Sequence, residues 1–152
     1  MKIVKKIFFP FILILISCFT GCDNKVDWSD GCYKLKFKYN QAFEISERSA
    51  MQSADGQYLL RFDSVFTDSR CPQGMYCVWQ GIAGARFTLS WDNSEPESFD
   101  LYTWNNPGAN WCDSASCKNL KISLLSLTPY PSVDVRNSYK NYKARIIVTK
   151  QK

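Results

Sequence analysis

Residues 68–81 read DSRCPQGMYCVWQG (Asp68–Gly81). Two cysteines lie six positions apart, with Pro72 and Gly74 between them. Proline presets φ for a turn's second position, and glycine tolerates positive φ. Asp68 is a residue type that accepts hydrogen bonds from backbone N–H groups about two positions on, closing a local turn. These features predict a Cys71–Cys77 disulfide across a compact loop. Closing seven residues in this way contributes roughly 2 kcal/mol in the chain-entropy model. Trp79 is then placed to cover the bond, and Gly81 to permit a bulge where the chain enters the next strand.

Chemical uses of the loop fit less well. The spacing is not the C-x-x-C of redox motifs. The chain has no histidine, which removes the commonest zinc partner of cysteine as well as every imidazole-based triad. No catalytic residue, metal site or cofactor is therefore assigned.

Outward from the loop, strand patterns appear on both sides. Tyr58, Leu60, Phe62, Ser64 and Phe66 alternate with Arg61, Asp63 and Thr67. Ala85, Phe87, Leu89 and Trp91 alternate with Arg86, Thr88 and Ser90. Period-2 alternation marks half-buried strands. Further strands are predicted at Tyr33–Tyr39, Ala42–Ile45, from Phe99 to Leu101, at Leu120–Leu127 and at Tyr142–Val148. Leu120–Leu127 is apolar on both sides, as expected of a central strand. Asp55-Gly56 and Asp92–Pro96 are turns. Glu47–Gln57 reads as polar connection, and Thr103–Cys117 as one long loop. A single helical turn is expected near Asp134–Ser138. The whole predicts one all-β domain: a small antiparallel sandwich or barrel of about six to eight strands, stapled by disulfides.

The N-terminus reads as targeting. MKIVKK is basic, Ile7–Ile16 is apolar but shorter than the ~20 residues that span a bilayer, and small residues precede cysteine. LISC (Leu15–Cys18) and FTGC (Phe19–Cys22) both resemble the bacterial lipobox, in which the cysteine becomes the first mature residue and carries lipid. That resemblance implies a signal peptide over residues 1–17 or 1–21, lipidation at Cys18 or Cys22, a tether to residue 31, and a β-domain over 32–152. Removing residues 1–17 takes away Lys2, Lys5 and Lys6 and no acid, so 16 basic residues face 14 acidic ones. The basic character of the whole chain is a targeting feature, and no nucleic-acid partner is expected. Export implies an oxidising compartment. Seven cysteines are present. If Cys18 takes the lipid, six remain; a second local disulfide, Cys112–Cys117, is predicted across the short DSAS spacer, with Cys32 a competitor for either partner.

DSRCPQGMYCVWQGIAGARFTL also resembles the DSRCP-x4-C-[VI]W-x-G-x-A signature of a family of bacterial exported and lipoprotein sequences of β-rich character. Asp55–Val65 (DGQYLLRFDSV), Leu127–Pro131 (LTPYP) and Tyr142–Val148 (YKARIIV) resemble flanking strands of that family. The resemblance covers roughly residues 41–150 and implies location and fold, with no activity attached.

For function, WNNPGANWC (Trp104–Cys112) stands out. Trp104 and Trp111 bracket the amides of Asn105, Asn106 and Asn110, a pairing of aromatic faces and amides suited to a sugar or a protein partner. The structural alternative is a loop whose indoles pack on the sheet. Glu95 and Glu97 flank Pro96 in a turn and read as solvated. The expected role is a lipid-anchored, non-enzymatic envelope domain that binds an envelope protein or glycan or supports an assembly. Two alternatives are an inhibitor of an envelope or secreted enzyme, such as a lysozyme or protease, and a carboxylate-dependent hydrolase.

Overall fold

The computed structural model describes residues 35–133 and 141–151. The signal peptide, the tether, Cys18, Cys22, Cys32 and the helical turn expected near Asp134–Ser138 lie outside the described residues.

Two sheets form an all-β sandwich. The first is five-stranded, in the order β1 (Lys36–Phe37), β3 (Ser49–Ser53), β4 (Tyr58–Asp68), β5 (Ala83–Trp91), β6 (Glu97–Tyr102). The second is four-stranded, in the order β2 (Ala42–Ser46), β9 (Lys143–Lys150), β8 (Leu120–Thr128), β7 (Ser114–Cys117). All pairings are antiparallel except β1 with β3. The described residues thus contain nine strands rather than six to eight. The additions are short elements inside stretches read as connections: β3 within the polar Glu47–Gln57, and β7 within the Thr103–Cys117 loop. Neither carries enough apolar alternation to announce itself. Within the described part of the expected Tyr33–Tyr39 strand, from Leu35 on, only β1 forms; Phe37 is buried while Leu35 is exposed.

The predicted alternation places the core. Leu60, Phe62, Phe87, Leu89 and Leu101 from the first sheet meet Ile45, Leu120, Ile122, Ile146 and Val148 from the second, all essentially inaccessible to water. Burying each such side chain is worth about 1.5–3 kcal/mol. Phe62 and Phe87 stack at 4.9 Å across β4 and β5. Phe37 and Phe43 stack at 4.9 Å, joining β1 of one sheet to β2 of the other.

β4 departs from its expected pattern after Phe62. The register with β5 shifts between Phe62 and Ser64 and again between Val65 and Thr67. Each bulge inserts a residue and turns the downstream side chains to the opposite face. Phe66, expected inside with Leu60 and Phe62, is therefore 47% exposed, and Val65 packs against the core instead. The Val65 N–H donates to the Glu47 carboxylate at 3.1 Å, satisfying a donor in the disturbed ladder.

Two polar clusters tie the sandwich together. Asp55, in the β3–β4 turn, accepts from Ser53 Oγ at 2.6 Å, Lys150 Nζ at 3.0 Å, the Gln57 N–H at 3.3 Å and the Tyr39 hydroxyl at 3.0 Å. Burial alone would raise its carboxyl pKa, but these four donors outweigh burial and hold it well below the usual carboxylate range. The resulting stabilisation is present at neutral pH and is lost as pH falls through that depressed value.

The second cluster is buried. At the end of β4, Arg70 Nε and Nη2 donate to the two oxygens of Asp68 at 2.8 and 3.0 Å. Nη1 donates to the Leu127 carbonyl at 2.6 Å and Nη2 to the Pro129 carbonyl at 2.9 Å. The Tyr142 hydroxyl donates to Asp68 at 2.8 Å. The Arg70 and Asp68 side chains are 6% and 7% exposed. The expected Asp68 turn contact is the weakest of the set: the Arg70 N–H approaches at 3.4 Å. Asp68 instead holds a guanidinium that reaches across to the second sheet.

Breaking a buried ion pair from one side is worth about 3–5 kcal/mol. Arg70→Met is expected to lower unfolding free energy by about that amount in urea titration, with the disulfide intact. Adding Asp68→Asn should recover part of it by removing the carboxylate charge left behind. A single variant that unfolds within about 1 kcal/mol of wild type would show that the pair does not join the sheets.

Candidate functional site

The chain beyond β4 continues as a narrow ribbon. The Ser69 N–H donates to the Ile82 carbonyl at 2.7 Å and the Cys71 N–H to the Gln80 carbonyl at 2.8 Å. This pairing extends the β4–β5 hairpin to a tip closed by the Cys71–Cys77 disulfide, whose Cα atoms are 5.9 Å apart. Gly81 is required within it. Its φ is +69°, and a Cβ there would lie 1.8 Å from the Ser69 carbonyl oxygen. Gly74 turns the tip with φ +86°. The tip is tied laterally by the Gln73 N–H, which donates to the Pro131 carbonyl at 2.9 Å. Beyond those ties Tyr76 and Val78 are fully exposed and Met75 is 55% exposed.

The second loop, between β6 and β7, folds around a 3-10 turn at Pro107–Ala109. Asn106 and Trp111 exchange backbone bonds: the Asn106 N–H donates to the Trp111 carbonyl at 2.7 Å, and the Trp111 N–H to the Asn106 carbonyl at 3.1 Å. Asn110 adopts the left-handed conformation, φ 56°, which asparagine tolerates. These two asparagines shape the loop through their backbones. Asn105 and Asn110 are exposed and Asn106 half-buried.

The expected second staple is not formed. Cys112 and Cys117 are both free thiols, the first exposed and the second buried. The chain is a strand from Ser114 to Cys117. A strand rises about 3.3 Å per residue, which works against the close approach that a disulfide between its last residue and Cys112 needs. Burial, then the charge and hydrogen bond of Glu97, push the Cys117 thiol up to about 12. Glu97 opens β6, and Glu95 and Glu97 are both exposed in and beside the β5–β6 turn.

Aromatic stacking joins the two loops in place of that staple. Trp111 is the hub. Trp79, expected to cover the disulfide, stacks on it at 6.3 Å; Tyr102 lies at 6.2 Å and Trp104 at 6.4 Å. Phe66 meets Tyr102 edge-on at 5.9 Å. Phe66 can lie there because its ring crosses Gly84 of β5, the partner of Thr67, where a Cβ would come within 2.5 Å of the ring. Trp79 and Trp104 remain 51% and 42% exposed. Of the residues expected to form a binding surface, the structure therefore brings Trp104 and Trp111 together and gives the asparagines a shaping role. Trp79, Tyr102 and Phe66 join them. The Val78-Trp79 pair directly after a loop cysteine was the one local signal for this; the Phe66 contribution depends on bulges that leave no mark in composition.

Beside the indoles, a cleft of about 260 Å³ opens between the hairpin ribbon, the start of the second loop and the end of β8. Trp104, Tyr130, Gln80, Thr103, Ser126 and Arg70 are among its lining residues. The Arg70 guanidinium lies 4.8 Å from the Tyr130 ring centroid, a cation–π contact. No protein-family model, curated protein or solved structure matches the chain.

Two outcomes test this arrangement. Cys71→Ser with Cys77→Ser should lower stability by about 2 kcal/mol, read by denaturant unfolding. Alkylation of the native domain at pH 8, mapped by peptide mass, should label Cys112 and spare Cys117 until the protein is unfolded. Recovery of a linked Cys112–Cys117 peptide would contradict the open arrangement.

Proposed function

We propose that the mature chain is a lipid-anchored domain of the bacterial cell envelope that works by binding, through the aromatic end of its sandwich, an envelope protein or glycan. The observation that carries this reading is the half-exposed pair Trp79 and Trp104 around Trp111, beside a disulfide-closed tip bearing Tyr76 and Val78. Contiguous exposed apolar surface of this kind marks interaction sites, and tryptophan and tyrosine are the residues that dominate interface energetics. Anchoring rests on the two lipobox-like sequences ending in Cys18 and Cys22. A disulfide at Cys71–Cys77 is in keeping with an oxidising compartment, and the DSRCP-type signature resembles that of exported and lipid-anchored sequences.

A second reading has its own observation. The tip from Met75 to Val78 lies on a closed loop with the Met75, Tyr76 and Val78 side chains exposed, a shape suited to entering the cleft of an envelope or secreted enzyme and inhibiting it. In that case Tyr76 and Val78 carry the affinity and the indoles only border it.

Cells treated with a signal-peptidase II inhibitor should accumulate the precursor. The Cys18→Ser, Cys22→Ser double variant should move from the membrane to the soluble fraction, and the single variants assign the lipidated residue. Retention of the double variant on membranes washed in high salt would end the lipoprotein reading. A photo-reactive side chain in place of Tyr76 should give a discrete higher-mass adduct in living cells. The same group in place of the exposed Glu95 should give none. Equal labelling from both positions would remove the tip as a binding surface.

A further inference from the structure

We propose that the cleft between Trp104 and Tyr130 takes one ring of a neutral glycan. This deepens the reading of the aromatic end as a binding surface and rests on it. The size selects a small occupant. At about 260 Å³ the cleft falls just under the ~300–1,000 Å³ of sites that enclose drug-sized ligands. A single pyranose ring is the right scale, with the rest of an oligosaccharide continuing outside.

The walls suit the two faces of such a ring. A pyranose presents patches of C–H on its faces and hydroxyls around its edge. Trp104 and Tyr130 supply aromatic surface, 42% and 44% exposed. The Arg70 guanidinium, 4.8 Å from the Tyr130 ring centroid, holds that ring at the edge of the cleft. Hydroxyls need groups that both donate and accept. The Gln80 amide and the Ser126 hydroxyl do both, and neither is held by another described residue. The Thr103 hydroxyl accepts from the Ala83 N–H at 3.0 Å and keeps its own proton to donate.

Arg70 decides the charge of the ligand. Four of its five N–H groups go to Asp68, Leu127 and Pro129. The fifth, on Nη1, has no partner among the described residues. Asp68 already balances the positive charge, and among the described residues Arg70 is the one charged residue lining the cleft. The described lining therefore offers a strong donor whose charge is paired. It fits a hydroxyl or amide oxygen better than a phosphate or carboxylate.

The same bonds disfavour a peptide strand. Peptides that add to a sheet need free backbone groups along an edge. Beyond its pairing with β7, β8 presents the Leu127 carbonyl toward the cleft, and Arg70 occupies it. The Pro129 carbonyl two residues on is occupied as well.

The test is an NMR titration of the ¹⁵N-labelled chain without its signal and lipidated cysteine, residues 23–152, with cellotetraose, chitotetraose, mannotetraose and maltotetraose, and with the tripeptide Gly-Leu-Gly. At least one sugar should shift the Trp104 indole N–H and the Gln80 side-chain amide saturably, with Kd about 1 mM or tighter. Trp104→Ala should weaken that binding at least tenfold and Gln80→Ala about threefold, while Tyr76→Ala leaves it unchanged. Ser126→Ala, an exposed substitution, gives a second readout if Trp104→Ala perturbs the fold. No shift with any of the four sugars overturns the proposal. So do shifts confined to Tyr76 and Val78, or shifts produced by the tripeptide alone. Silence in this titration together with a Tyr76 adduct in cells would remove the glycan and keep the binding surface; silence in both would remove both.

Discussion

The buried Asp68–Arg70 pair is the constraint on which the functional end of this protein depends. Asp68 closes β4 in the first sheet. Leu127 lies near the end of β8, Pro129 comes just after it and Tyr142 precedes β9, all on the side of the second sheet. One guanidinium, three oxygen-bearing partners and one phenol therefore lock two sheets whose interior contact is apolar. Burial and the adjacent Asp68 charge raise the Tyr142 pKa, so its hydroxyl remains a donor to Asp68 well into alkaline solution. Replacing a buried ion pair by apolar residues is often neutral or stabilising. The better account of this pair is orientation. Hydrophobic packing tolerates sliding of one sheet over another, whereas a planar guanidinium bonded to two oxygens on one side and two carbonyls on the other does not.

Everything beyond Asp68 inherits that orientation. Cys71 follows Arg70 directly, so the disulfide-closed tip starts from a fixed point. Gln73 adds a second tie, to Pro131. Gly81 then lets the returning strand pass so close to Ser69 that no side chain fits. Because the ribbon is fixed on one side by Arg70 and on the other by Gly81, Trp79 is delivered to Trp111. The cleft beside them is a by-product of the same geometry, since Arg70, which makes the join, is among the residues lining it.

The sequence made legible those features that depend on period and local turn chemistry. Alternation located the long strands β4, β5, β8 and β9, and the Pro72 and Gly74 spacing located the first disulfide. It could not show features that depend on partners far along the chain. Arg70 stands beside Asp68 in a motif that reads locally as a turn, yet two of its carbonyl partners lie 57 and 59 positions away. Phe66 continues an unbroken alternation and leaves the core only because a bulge between Phe62 and Ser64 switches the face. Cys112 and Cys117 look like a local pair until the residues between them prove to be a strand. In each case backbone shape, which composition records weakly, overrode the local side-chain pattern. The candidate site divided in the same way. Trp104 and Trp111 were visible as a cluster in one loop, whereas Trp79, Gln80 and Tyr130 come from two other segments and meet them only through the fold.

The exposure of so much aromatic surface also has a physical cause. Free in a mobile loop, Met75, Tyr76, Val78 and Trp79 would fold back onto the nearby indoles to leave water. The disulfide, the Gln73 tie and the close passage at Gly81 hold the tip extended instead. Closing a seven-residue loop contributes only about 2 kcal/mol to stability, a small return for two cysteines in a domain whose core already carries more than a dozen buried hydrophobic side chains. The same closure matters more to association. Each rotamer-rich side chain immobilised on binding costs about 0.5–1.5 kcal/mol, and a segment already ordered avoids much of that. A loop stapled at its tip, anchored at its base by a buried ion pair and flanked by stacked tryptophans is therefore better explained by the contacts it presents outward than by those it adds to the fold.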